Sequence, residues 1–120
     1  MSKQIQEAYI VAATRTPIGK APKGMFKNTR PDDLLVAALR GVLGQVPNLD
    51  PKIIEDAIVG CAIPEAEQGL NVARMGLLLG GLPHTVGGVT VNRFCASGLT
   101  AIAMAANSIR VGEAEAIIAA

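Results

Sequence analysis

Val91-Asn92-Arg93-Phe94-Cys95-Ala96-Ser97-Gly98-Leu99-Thr100-Ala101-Ile102 changes character half-way along its length. Gly87-Gly88 release a short strand over Val89 to Arg93, and Cys95-Ala-Ser-Gly98 then opens a helical pattern. From Leu99 to Ile109 there is no charge, and the helical repeat leaves no strongly polar face beyond Thr100, Asn107 and Ser108. A helix that is apolar nearly all round is expected to be covered on both sides. The small side chains of Ala101, Ala103, Ala105 and Ala106 would let neighbouring backbones approach closely. A central helix is therefore expected, beginning just after Cys95.

The chain before this stretch alternates strands and helices. Ala8 to Thr14 is a short apolar run ended by Pro17 and Gly19, which suits a buried first strand. Arg15 to Arg30 carries Pro17, Gly19, Pro22 and Gly24 and reads as a surface loop. Pro31-Asp32-Asp33 then starts a helix, with Leu34, Leu35, Ala38, Leu39, Val42 and Leu43 at helical spacing to about Gln45. Pro47 stops it, and Asp50-Pro51 caps one short helical turn. Ala57 to Ile63 is expected as the second buried strand, and Pro64 to Gly69 as a polar loop. Asn71 caps a second helix running through Leu79 to Gly80-Gly81. The alternation predicts an α/β fold with a mostly parallel sheet. The final run, Ala116 to Ala120, reads as a fourth strand, and a parallel strand is normally buried on both faces. On that reading residues 1–120 form one incomplete domain, interrupted in or after its fourth strand.

Composition narrows the function. The sequence has 120 residues, 50% of them hydrophobic, which suffices for one core of ordinary domain size. Eleven Lys and Arg against ten Asp and Glu leave a net charge of +1, so binding nucleic acid through phosphate neutralisation is not expected. No apolar stretch approaches the roughly 18 residues that a membrane span requires, so a soluble protein with no membrane partner is expected. Thirteen Gly stand against only two Phe and one Tyr, so the core must be filled by small and aliphatic side chains. Cys61 and Cys95 lack CxxC spacing and read as reduced thiols of a cytoplasmic compartment. One His and two separated Cys cannot form a four-ligand zinc site, so no metal site is expected.

Two side chains could supply a nucleophile, and one a base. Cys61, inside an apolar strand, reads as a small buried hydrophobe. Cys95 sits where a strand turns sharply into a helix, an elbow of the kind that presents nucleophiles. A thiol at such a helix start faces the positive end of the helix dipole and unpaired amides, which favours the reactive thiolate. The sole histidine, His84, lies in a loop between Pro83 and Thr85 and reads as a solvated surface residue rather than the catalytic base.

These residues carry a resemblance. Asn92-Arg-Phe-Cys95-Ala-Ser-Gly98, followed by Leu99 to Gly112, resembles the nucleophile region of the thiolases. Arg15-Thr-Pro-Ile-Gly19, Gly69-Leu-Asn71-Val-Ala-Arg74 and Gly88-Val-Thr-Val-Asn92 resemble further thiolase motifs. The likeness extends over essentially the whole chain. The run from Gly60 to Ser97 is most similar to degradative 3-ketoacyl-CoA thiolases of fatty-acid β-oxidation, and acetyl-CoA acetyltransferases share nearly all of it.

The resemblance implies the first part of a layered αβαβα fold, five-layered when complete, in a homodimer or a dimer of dimers with Val89 to Arg93 near the interface. It implies that Cys95 attacks a 3-ketoacyl-CoA and that the Cys95 backbone N–H forms part of an oxyanion hole. Coenzyme A and acyl-CoA would be substrates, with no separate cofactor. In the family, an activating His, a second Cys and a water-holding Asn lie in motifs further along the chain and have no counterpart here. The coenzyme A loop domain has none either, so residues 1–120 alone are expected to be inactive. Two rivals are a condensing enzyme of the ketoacyl synthase type and a non-catalytic acyl-CoA or lipid carrier or assembly subunit. The Arg15-Thr-Pro-Ile-Gly19 run speaks against the first and the intact Cys95-Ala-Ser-Gly98 against the second.

Overall fold

A computed structural model describes residues 4–120. In chain order the elements are α1 (Pro31–Gly44), β1 (Ile54–Gly60), α2 (Val72–Gly80), β2 (Val89–Val91), α3 (Ser97–Arg110) and β3 (Ala116–Ala119). Short 3-10 turns occupy Pro51–Ile53 and Ala66–Gln68. The three strands form one sheet in the order β2-β1-β3. Both pairings are parallel, with Ile58 opposite Val89 on one side and Ala119 on the other.

Local chemistry accounts for the helix ends. The carboxylate of Asp50 accepts from the Lys52 amide at 3.0 Å, and Pro51 supplies the first-turn proline. Asn71 caps α2 by accepting from the Arg74 amide at 3.3 Å, and Gly81 closes that helix at φ +83°, a left-handed conformation that glycine adopts without strain. At the start of α1, Arg30 grips Asp32 with Nε and Nη2, each at 3.0 Å, while its Nη1 reaches Glu67 at 3.2 Å. This ties the first turn of α1 to the 3-10 turn at Ala66–Gln68.

β1 is the centre of the core because its side chains alternate between two covered faces. On one face Ala57 joins Leu77, Leu82 and Val86, and Val59 joins Cys61, Val72 and Ala73. On the other, Ile58 packs with Ala101 and Ala105 of α3. α1 forms an outer layer on α2, where Leu35 packs against the cluster around Val59 and Leu39 is fully buried. Burying side chains of this size stabilises by about 1.5–3 kcal/mol each.

Four sequence expectations are revised. The run Ala8 to Thr14 belongs to no strand: it joins neither open edge of the three-stranded sheet, and Tyr9, Ile10 and Val11 are exposed. The chain is held instead at isolated points: Gln6 N, just before the run, donates to Arg110 O at 3.1 Å, and Gln45 Nε2 donates to Ala13 O at 2.8 Å. Apolar composition favours extended backbone, but a strand is made by ladder hydrogen bonds to a neighbour, and this run forms none. The strand expected at Ala57 to Ile63 is Ile54–Gly60, three residues earlier, because the ladder to Ala116 begins at Ile54. The strand after Gly88 ends at Val91 rather than Arg93, where the chain turns. The run expected as a fourth strand is the third, β3, and its residues are half-buried. The sheet covers one face of α3, through Ser97, Ala101 and Ala105, while Leu99, Ile102 and Met104 are exposed among the described residues.

Candidate active site

The polypeptide reverses between the end of β2 and the start of α3, and Cys95 stands on that reversal. Ser97 is the first helical residue and Ala96 the N-cap, so Cys95 lies just ahead of the helix, with its side chain exposed. No acidic side chain occupies the first turn of α3, and Arg110 lies in the last, an arrangement that leaves the positive end of the dipole uncompensated at the elbow. The elbow sits at the carboxyl ends of β1 and β2. The connection from β1 leads to β2 on one side of it, and the next returns to β3 on the other. That is the edge of an open parallel sheet, at a topological switch point, where ligands bind in such folds.

The reversal is strained and firmly held. Phe94 has φ +49°, a left-handed conformation that costs a residue with a Cβ about 1–2 kcal/mol, and the residue is 77% exposed, so burial does not offset that cost. Hydrogen bonds fix it from both sides. The Phe94 amide donates to Asn92 Oδ1 at 2.9 Å, and Asn92 Nδ2 donates to Ala62 O at 3.2 Å, anchoring the turn to the chain beyond β1. Ser97 Oγ accepts from the Arg93 amide at 2.8 Å and donates to Phe94 O at 2.6 Å. Backbone bonds from Ala96 N to Arg93 O at 3.0 Å and from Ser97 N to Phe94 O at 3.1 Å complete the turn. Ser97 is only 4% exposed, so water does not compete for these bonds.

The other two candidate residues are placed elsewhere. Cys61 is buried among Val59, Val72 and Ala73, and its amide donates to Val91 O at 2.9 Å, which makes it part of the packing. His84 is exposed in the turn that precedes the amino end of β2, where its carbonyl accepts from Arg74 Nη2 at 2.9 Å. Cys95 follows the opposite end of that strand, so the fold does not bring the two together. Two surface hollows, of about 360 Å³ beside Ile5 and Val111 and about 260 Å³ beside Lys20 and Phe26, do not include Cys95.

The sequence offers Cys95 as a candidate nucleophile but gives less sign of the residues that hold it. Asn92 carried a usable signal, since asparagine readily bonds the backbone two residues on. Ser97, a hydroxyl at the head of an apolar helix, carried a weaker one. Gly60 carried none: only the fold shows that a Cβ there would meet Gly98 N at 2.5 Å.

Comparison with known proteins shows the family. The family description "Thiolase, N-terminal domain" matches residues 8–120. A 3-ketoacyl-CoA thiolase of Bacillus subtilis is 49% identical over 115 residues, covering 96% of this chain and 29% of the relative. One from Photobacterium profundum is 46% identical over 109 residues, covering 91% of this chain and 28% of the relative. Among solved structures, the crystal structure of the Bacillus anthracis acetyl-CoA acetyltransferase superposes with a TM-score of 0.90 at 35% identity, covering 98% of this chain and 29% of that one. The chain thus spans about three tenths of the length of the proteins it resembles. With its family description, its relatives and its backbone in agreement, this chain belongs to the thiolase family, in which it corresponds to the N-terminal domain.

Proposed function

We propose that the intact protein is an acyltransferase of the thiolase type with Cys95 as its nucleophile. The Cys95 thiolate attacks the 3-keto carbon of a 3-ketoacyl-CoA, and the bond between C2 and C3 breaks. The departing two-carbon enolate takes up a proton to become acetyl-CoA, and the remaining acyl group stays on Cys95 as a thioester. The thiolate of free coenzyme A then attacks that thioester, releasing the shortened acyl-CoA and regenerating Cys95. Run in reverse, the same steps condense two acetyl-CoA. The Cys95 backbone N–H contributes to stabilising the oxyanion at the attacked carbonyl. Acyl-CoA and coenzyme A are the partners, no separate cofactor takes part, and a cytoplasmic homodimer or dimer of dimers serving fatty-acid β-oxidation completes the reading.

The observation that carries the proposal is an exposed thiol beside a strained, hydrogen-bonded turn at the start of α3. A non-catalytic acyl-CoA carrier has no use for strain stored at that position. The test is thiolysis of acetoacetyl-CoA by the intact protein in the presence of coenzyme A, followed as acetyl-CoA formed. Cys95→Ser is expected to lower kcat on the order of 10³-fold or more, as loss of a covalent nucleophile does. A Cys95→Ser protein that turns over at the wild-type rate would remove the assignment.

A further inference from the structure

We propose that Ser97 is a positioning residue for the reaction: by holding the Phe94–Cys95 peptide plane, it aims the Cys95 N–H. This rests on Cys95 being the nucleophile and its amide an oxyanion donor, as set out above.

A trans peptide is planar, so the carbonyl of one residue and the amide of the next point in opposite directions. The carbonyl of Phe94 and the amide of Cys95 share one such plane. Two donors from Ser97 converge on that carbonyl, Oγ at 2.6 Å and the backbone N at 3.1 Å. With Phe94 O drawn toward the first residue of the helix, the Cys95 N–H is turned the opposite way. The same Oγ takes the Arg93 amide at 2.8 Å, so one hydroxyl spans both sides of Phe94. On the preceding plane, Asn92 Oδ1 holds the Phe94 amide at 2.9 Å. Both peptide planes flanking Phe94 are thereby fixed, which is what keeps a bulky residue at φ +49°. Without the Ser97 hydroxyl, the Arg93 amide loses its acceptor and Phe94 O keeps only the backbone bond. The strain at Phe94 then favours rotating the plane, and with it the Cys95 amide.

The experiment compares intact wild-type protein with Ser97→Ala and with the double variant Phe94→Gly/Ser97→Ala. Thiolysis kinetics are measured alongside iodoacetamide labelling of both cysteines. Misdirecting one oxyanion donor is expected to lower kcat about 10²-fold in Ser97→Ala. KM should stay within about threefold, because ground-state binding is untouched. Iodoacetamide alkylation needs no oxyanion hole, so labelling of Cys95 should change less than kcat, and Cys61 should stay protected as evidence of an intact fold. Glycine occupies positive φ without strain, so the double variant should recover kcat at least about tenfold over Ser97→Ala. If Ser97→Ala does not fold, a folded and active double variant carries the same conclusion.

The inference is overturned if Ser97→Ala keeps wild-type kcat while Cys95→Ser is inactive. It is equally overturned if the folded double variant shows no recovery. Activity retained by Cys95→Ser would instead remove the underlying assignment.

Discussion

Gly60, the last residue of β1, lies so close to the first turn of α3 that a Cβ on it would sit 2.6 Å from the carbonyl oxygen of Ser97. Such a distance is well inside van der Waals contact, so glycine at position 60 is what lets the helix start rest on the end of the central strand. The turn carrying Cys95 is therefore seated against the sheet as well as hydrogen-bonded within itself. A reactive group held in this way keeps its geometry through thermal motion, which is where much of catalytic positioning originates.

Gly60→Ala is expected to push α3 off the strand and destabilise the intact protein by about 1–3 kcal/mol, as overpacking does in a tight site. Thermal unfolding measures that loss. Thiolysis should fall along with stability, because the displaced first turn carries Ser97. An alanine variant with an unchanged midpoint would show that the helix start can move away freely.

Iodoacetamide should discriminate between the two thiols. Cys95 is exposed, whereas Cys61 is 8% exposed within an apolar cluster and reacts only through local opening. Mass spectrometry of the intact protein should find Cys95 modified at least about tenfold faster, with thiolysis lost in step. Equal labelling with activity retained contradicts this.

Asn71 joins α2 to β2. Its Oδ1 accepts from the Arg74 amide at 3.3 Å and from Thr90 Oγ1 at 2.7 Å, and its Nδ2 donates to Gly88 O at 2.8 Å. Asn71→Ala removes the cap and both cross-links, so a loss toward the upper end of the capping range, about 2 kcal/mol, is expected in denaturant unfolding. Asn71→Asp, which keeps the capping oxygen, should recover part of it.

Acid should act through Asp32. The hydrogen bonds from Arg30, reinforced by its charge, outweigh the opposing effect of burial and hold the Asp32 carboxyl below its ordinary value of 3.8. A carboxyl lowered on folding contributes stability that is fully present above its unfolded value and fades as pH falls through the folded one. Asp32→Asn should therefore lower stability at neutral pH and flatten the decline below about pH 4. High salt should shrink the difference, because the Arg30 side chain is 53% exposed. A mutant that declines with acid as steeply as wild type would show that Asp32 contributes nothing.

Periodicity and capping were sufficient to locate most elements. α1 and α2 lie within about a residue of where Pro31, Asn71 and Gly81 place them, because caps and stops act on neighbouring backbone. The strands were less legible. Ala8 to Thr14 is as apolar as β1, yet only β1 found neighbours on both sides. Ile54 also entered its ladder three residues before the apolar count suggested. Strand identity depends on partners distant in sequence, and no local pattern encodes them.

The division at the elbow is similar. Sequence alone determined that Cys95 is the candidate nucleophile, that Cys61 is packing, and that a small-residue helix follows. Those conclusions rest on residue types and spacing, which fix chemistry and local backbone. Tertiary structure decided what holds Cys95 in place: the positive φ of Phe94, the two bonds of the Ser97 hydroxyl, the reach of Asn92 to Ala62, and the bare Cα of Gly60. It also separated His84 from Cys95 by placing them beyond opposite ends of β2. Each of these is a distance between groups whose approach depends on how strands pair and a helix settles on them. Such distances exist only once the core has closed.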